Sequence, residues 1–171
     1  MGKTIATPPG ICVFPHVFEP HRFPQEKEAK YSCSVIFDDG DDLSKLEKAA
    51  REAEFSRWPD GRPNIKFHDL IQSWKDGRRK IRAKTKASYD IKIYDRHDNL
   101  LTADNSDEIY SGAIIKLGIK IYAWDVQGQG ISAHLIMVKK IADGEPLDVG
   151  ENASDVFGVE SDDDGDDGDI F

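Results

Sequence analysis

The chain has 171 residues, which suits one domain with appendages, and 39% of them are apolar, enough for a real core. The formal net charge of −9 argues against a polyanionic partner only until the charge is located: residues 143–171 hold twelve acids and no base, leaving 20 acids against 23 bases in residues 1–142. Cys12 and Cys33 lack Cys-x-x-Cys or Cys/His spacing, which excludes the usual zinc patterns. With no membrane-length apolar run and no signal peptide, a soluble, cytoplasmic protein with reduced thiols is expected.

Residues 1–10 read as a flexible lead-in ending at the breaker Pro8-Pro9-Gly10. Residues 11–18 are β-prone, with Pro15 placing an edge or a bulge there, and Pro20 and Pro24 impose an irregular connection. Residues 29–37 alternate as a strand, Tyr31, Cys33, Val35 and Phe37 on one face and Lys30, Ser32, Ser34 and Ile36 on the other. Asp41 and Asp42 then open an amphipathic helix at its positive end, with Leu43, Leu46, Ala49, Ala50, Ala53 and Phe55 on the packed face and Pro59 stopping it. Phe67, Leu70, Ile71 and Trp74 fit a short second helix.

Residues 80–87 alternate strictly: Lys80, Arg82, Lys84 and Lys86 face one way, Ile81, Ala83, Thr85 and Ala87 the other. Side chains on such a face repeat at roughly 6.6–7 Å, close to the phosphate spacing of an extended single strand. Anti-aggregation lysines on a solvent face explain one or two of these cations well. They explain four in a row after Arg78 and Arg79 poorly. From Arg62 to Lys92 there are ten bases against three acids, a local basic patch hidden by the overall charge.

A further strand runs over residues 89–94, with Leu100-Leu101 as a candidate return. In the long strand ending at Trp124, Ile115, Leu117, Ile119, Ile121 and Ala123 form a core face; Lys116, Gly118, Lys120, Tyr122 and Trp124 form the other, cations grading into aromatics. Gly118 either opens space for a backbone or base, or bends the sheet. The last strand covers residues 131–141.

One principal helix among short β elements predicts a mainly β, partly closed barrel of OB-fold type over residues 11–146, since closure removes exposed edges. The helix falls after the second strand rather than between strands three and four, which leaves another open β-sandwich as an alternative. Residues 147–171 form a tail too poor in apolar residues to order itself. Its last twelve residues contain seven acids and end in Asp169-Ile170-Phe171.

An acidic, Gly-punctuated terminus closing on Ile-Phe resembles the C-termini of single-stranded DNA-binding proteins, and the lack of a Pro before Phe171 sits closer to the phage members. The body is similar to phage members too, over residues 110–124, Gly130-Ile131-Ser132 and residues 138–145. The resemblance implies a tail that covers the DNA groove when DNA is absent and recruits a polymerase or helicase through Asp169, Ile170 and Phe171.

Sequence-tolerant binding of single-stranded DNA in replication or recombination needs a cationic track and aromatic platforms. The candidates are Arg79, Lys80, Arg82, Lys84, Lys86, Lys116 and Lys120 for the backbone, and Tyr122, Trp124 and Trp74 for bases, with Tyr89, Tyr94 and Tyr31 as further stacking residues. A nuclease would need grouped carboxylates. Asp38-Asp39-Gly40-Asp41-Asp42 is already explained as a turn and helix start, and the five histidines show no paired spacing. No catalysis, no cofactor and no membrane partner is expected, and homodimer formation stays open. The alternative is a non-catalytic interaction module or DNA mimic acting through the acidic tail.

Overall fold

The computed structural model describes residues 3–63, 66–126 and 128–147. Its sheet contains β1 (Ile5–Ala6), β2 (Gly10–His21), β3 (Lys30–Phe37), β4 (Phe67–His68), β5 (Gln72–Ser73), β6 (Arg79–Lys86), β7 (Lys92–Tyr94), β8 (Ile114–Trp124) and β9 (Gln129–Ala142), with one principal helix, α1 (Ser44–Arg57). Five strands pair in a circuit: β2–β3, β3–β6, β9–β8 and β8–β2 antiparallel, β6–β9 parallel. This is the mainly β, OB-like architecture that the alternating pattern predicts. The interior is filled by Cys12, Val35, Phe37, Leu46, Ile81, Ile115, Leu117, Ile119, Leu135 and Val138.

Within the segment read as a flexible lead-in, β1 pairs with β8 through Ile5 and Ile119. Pro8 and Pro9 cannot donate ladder hydrogen bonds. Thr7 bridges the break instead: its N–H donates to the Leu117 carbonyl at 2.9 Å, and its Oγ1 accepts from the Leu117 N–H at 3.0 Å. Pro15 is accommodated by a register shift between Val13 and His16, where Phe14 takes a left-handed φ of 51°.

The helix begins beside Asp42, whose carboxylate accepts the Ser44 N–H at 3.0 Å. It packs on β8 and buries Leu46. Phe55, expected on that packed face, is instead 68% exposed, because nine residues on from Leu46 it stands on the opposite side of the helix. The expected second helix is absent. Residues 67–73 form β4, parallel to β9, and β5, antiparallel to β6. The period of the apolar residues there was too short to separate a helix from two strand fragments. Together these fragments cover the gap where the first half of β6 and β9 are not paired. No helix among the described residues is long and apolar enough to cross a membrane.

Candidate nucleic-acid interface

The period of two in β6 buries Ile81, Ala83 and Thr85 and leaves Lys80, Arg82, Lys84 and Lys86 on the outer face. Cross-strand register then fixes their neighbours. Ser32, Lys84, His134 and Lys120 form one row across β3, β6, β9 and β8. Ser34 stands beside Arg82, and Ile36 beside Lys80. On β8, Tyr122 stands opposite Ser132 and Trp124 opposite Gly130. The cations of β6 and the polar set of β8 therefore share one outer face, with β9 between them. At the usual strand spacing the Lys84 and Lys120 backbones lie about 10 Å apart.

Aromatic rings border these cations. Trp124 donates from Nε1 to Ser132 Oγ at 2.8 Å, and its ring centroid lies 5.6 Å from that of His68. It rests over Gly130, where a Cβ would come within 2.7 Å of both Trp124 Cζ2 and the His68 carbonyl. Burial pushes the Tyr122 phenol pKa up, with a hydrogen bond to Ser132 acting the other way. Trp74 lies beneath the ammonium groups of Lys75 and Lys80, at 5.5 and 5.4 Å from its ring. Tyr89 is 51% exposed and meets His134 edge-on at 5.3 Å.

Residues 11–168 match the family described as Enterobacter phage Enc34, ssDNA-binding protein. The chain belongs to that family. Its fold matches the single-stranded DNA-binding protein from bacteriophage Enc34, with TM-score 0.69 and 22% identity over 90% of this chain and 88% of that one. The same phage protein in complex with ssDNA matches with TM-score 0.69 and 21% identity over 85% and 89% of the two chains. The single-stranded DNA-binding protein gp2.5 of bacteriophage T7 matches with TM-score 0.64 and 13% identity over 89% and 97%. No curated protein matches the sequence.

In this Enc34-family chain, not every predicted residue converges on the shared face. Arg79 belongs to the opposite face of β6, and its guanidinium donates to the carbonyls of Asp38, Asp39 and Asp41 at 3.5, 3.3 and 3.2 Å. It fixes the connection between β3 and α1. Lys116 lies on the outer face beside Lys139, separated from Lys120 by the row of Gly118 and Met137. A Cβ on Gly118 would come within 2.5 Å of Met137 Cγ, so the close approach that this glycine permits is made by a side chain of the protein. Asp169, Ile170 and Phe171 lie outside the described residues. Among the described residues, no group of three or more His, Cys, Asp or Glu is placed to hold a metal ion.

Several residues of the site carried no local signal. His134, a lone histidine in an apolar strand, sits at its centre, with Nε2 3.0 Å from Thr85 Oγ1. Burial and then the Lys120 charge hold its pKa below the ordinary histidine range. The connection from β2 to β3 folds back over the comb of cations. Phe23 lies under Arg82, 5.1 Å from ring centroid to guanidinium carbon, and Glu26 reaches to 3.9 Å from Lys84 Nζ. His16 and His21 stack at 4.3 Å, with Phe23 edge-on to both. Burial, then the charges of His21 and Arg82, lower the His16 pKa to about 4. The turn lies at Lys84 and Arg82, the β6 neighbours of Ser32 and Ser34, and both serines are buried.

Proposed function

We propose that this chain binds single-stranded DNA without sequence preference during phage DNA replication and recombination, in the cytoplasm of the bacterial host, as a non-catalytic coating protein. The observation that carries the reading is the single outer face on which Lys80, Arg82, Lys84 and Lys86 meet Lys120 and His134, flanked by Trp74, Tyr89, Tyr122 and Trp124. The cations match a phosphate track, and each base stacked on an aromatic ring contributes on the order of 1–3 kcal/mol. Family membership and the fold shared with two phage single-stranded DNA-binding proteins support it.

Residues 11–146 are the binding domain in this reading, and residues 147–171 the tail. The tail's acids compete with DNA for the cationic face, and Ile170-Phe171 dock on a replication partner such as a polymerase or helicase. The test is a salt titration of binding to fluorescent oligo-dT by the full-length protein and by a truncation ending at Gly150. Full-length protein should bind, with affinity falling as salt rises by a log–log slope of about −0.7 per neutralised phosphate. The truncation should bind more tightly. Absence of binding by either at low salt makes the comb a solvent face and overturns the reading. Unchanged or weaker binding by the truncation removes the tail's competitive role alone.

A further inference from the structure

The connection between β2 and β3 is placed where a ligand is wanted. In this fold class the faces of the second and third barrel strands, with the loop between the first two, take the oligonucleotide. Here those strands are β3 and β6, and residues 22–26 lie on them. The turn is bonded to itself: Arg22 Nη1 donates to the Glu26 carbonyl at 2.9 Å, the Glu26 N–H to the Phe23 carbonyl at 2.9 Å, and the Phe23 N–H to Glu26 Oε1 at 3.2 Å. It meets the comb through the Phe23 ring under Arg82 and the Glu26 carboxylate beside Lys84.

Glu26 is unusual in its setting. Its side chain is 3% exposed, and a buried carboxylate is rare without close partners. Yet Oε2 makes no hydrogen bond and stands 3.9 Å from Lys84 Nζ. A charge-assisted hydrogen bond would close to about 2.7–2.9 Å. The desolvation of the Glu26 carboxylate is therefore only partly offset by this attraction. A phosphate has more acceptor oxygens, on a tetrahedral centre, than one carboxylate held by a turn.

We propose that residues 22–26 form an internal plug, with Glu26 standing in for a DNA phosphate at Lys84 and Phe23 covering Arg82. A single strand enters by exchanging the Glu26 carboxylate for a phosphate, and the turn swings out as a unit. The inference rests on the proposed function, because it names the contact that DNA replaces. It gives the protein an acid on the comb that is separate from the tail. The plug reduces apparent affinity by the fraction of molecules in which it is closed.

The experiment uses full-length wild-type protein and Glu26→Gln, each titrated with fluorescent oligo-dT across salt. Hydrogen exchange of the wild type is followed with and without the oligonucleotide. Glu26→Gln should bind about fivefold or more tightly, as expected from a shifted closed fraction. Its salt slope should steepen by up to about 0.7, one phosphate's share on a single strand. In the wild type, residues 22–28 should lose protection on binding while β6 and β9 gain it. Equal or weaker binding by Glu26→Gln overturns the plug, since a carboxylate that merely orients Lys84 would be missed. Gain of protection in residues 22–28 together with β6 also overturns it, and makes the turn a clamp. The exchange measurement uses unaltered protein and decides the matter even if the variant does not fold. No binding by wild type or variant overturns the functional reading, and the plug falls with it.

Discussion

Lys84 and Lys140 both have nearly buried side chains, 12% and 10% exposed, and both face carboxylates, but they are held in opposite ways. Lys140 Nζ lies 3.0 Å from Glu108 and 2.6 Å from Asp143, over the Tyr110 ring, and the Tyr110 hydroxyl accepts the Gly144 N–H at 3.1 Å. That network fastens the end of β9 to the start of β8. Lys84 has Glu26 at 3.9 Å. Burial alone does not tell a structural lysine from one poised for a ligand. The geometry of the carboxylates does: Glu108 and Asp143 both reach hydrogen-bond distance of Lys140, whereas Glu26 Oε2 makes no hydrogen bond beside Lys84.

The largest expected effect separates the two directly. Lys140→Met should lower stability in urea unfolding by about 2–3 kcal/mol, because its acceptors lose a charged donor at a partly buried site. Affinity of the folded protein for oligo-dT should stay within about twofold, since Lys140 is remote from the comb. Acid should act next, and on the comb side. His16 has a folded pKa of about 4 against an ordinary 6.5, so between those values the unfolded chain binds a proton that the folded one refuses. Stability is therefore complete above pH 6.5 and falls on acidification toward pH 4, by at most about 3 kcal/mol and by less as water screens the half-buried ring. The clasp should outlast it, because hydrogen bonds from Lys140 and Tyr110 hold the Asp143 carboxyl below its usual range. Hydrogen exchange at pH 5 should show residues 22–26 opening before residues 140–144.

Lys84→Met should weaken oligo-dT binding about tenfold, near 1.4 kcal/mol, and flatten the salt slope by about 0.7. Its stability should fall less than that of Lys140→Met, because the proposed swing of the whole turn carries Glu26 out to water instead of leaving it buried and unpaired. A loss as large as that of Lys140→Met would erase the distinction between the two lysines. The smallest effect belongs to Tyr89→Ala, a loss of at most about 1 kcal/mol of binding at an exposed platform, with Tyr89→Phe near wild type. Fluorescence titration measures both.

Where a strand is wet on one face, its sequence announced the structure. The alternation of β6 and β8 placed Lys80, Arg82, Lys84, Lys120, Tyr122 and Trp124 correctly on an outer face, because a period of two is a property of the backbone. What stayed illegible depends on partners distant in sequence. Ser32 and Ser34 are buried beside the two cations that the turn covers, and no local pattern encodes the path of that turn. Arg79 extends the run of cations by one residue, and one residue is enough to put it on the other face. His134 gains its meaning from Lys84 and Lys120, its neighbours on two other strands.

The parallel seam of the barrel-like sheet is thin: among the described residues, β6 and β9 pair through Ala83 with Ala133 and Lys84 with His134. The hairpin of β8 and β9 is local, whereas this seam joins distant parts of the chain, and non-local parallel pairing is slow because loop closure comes before its reward. The seam is therefore expected to form late in folding. Lys84 and His134, the centre of the cationic face, are themselves the residues of that last stitch. A chain still emerging from the ribosome, or one trapped short of closure, carries the same lysines but no organised surface, so under the proposed function capture of nucleic acid would wait on completed folding.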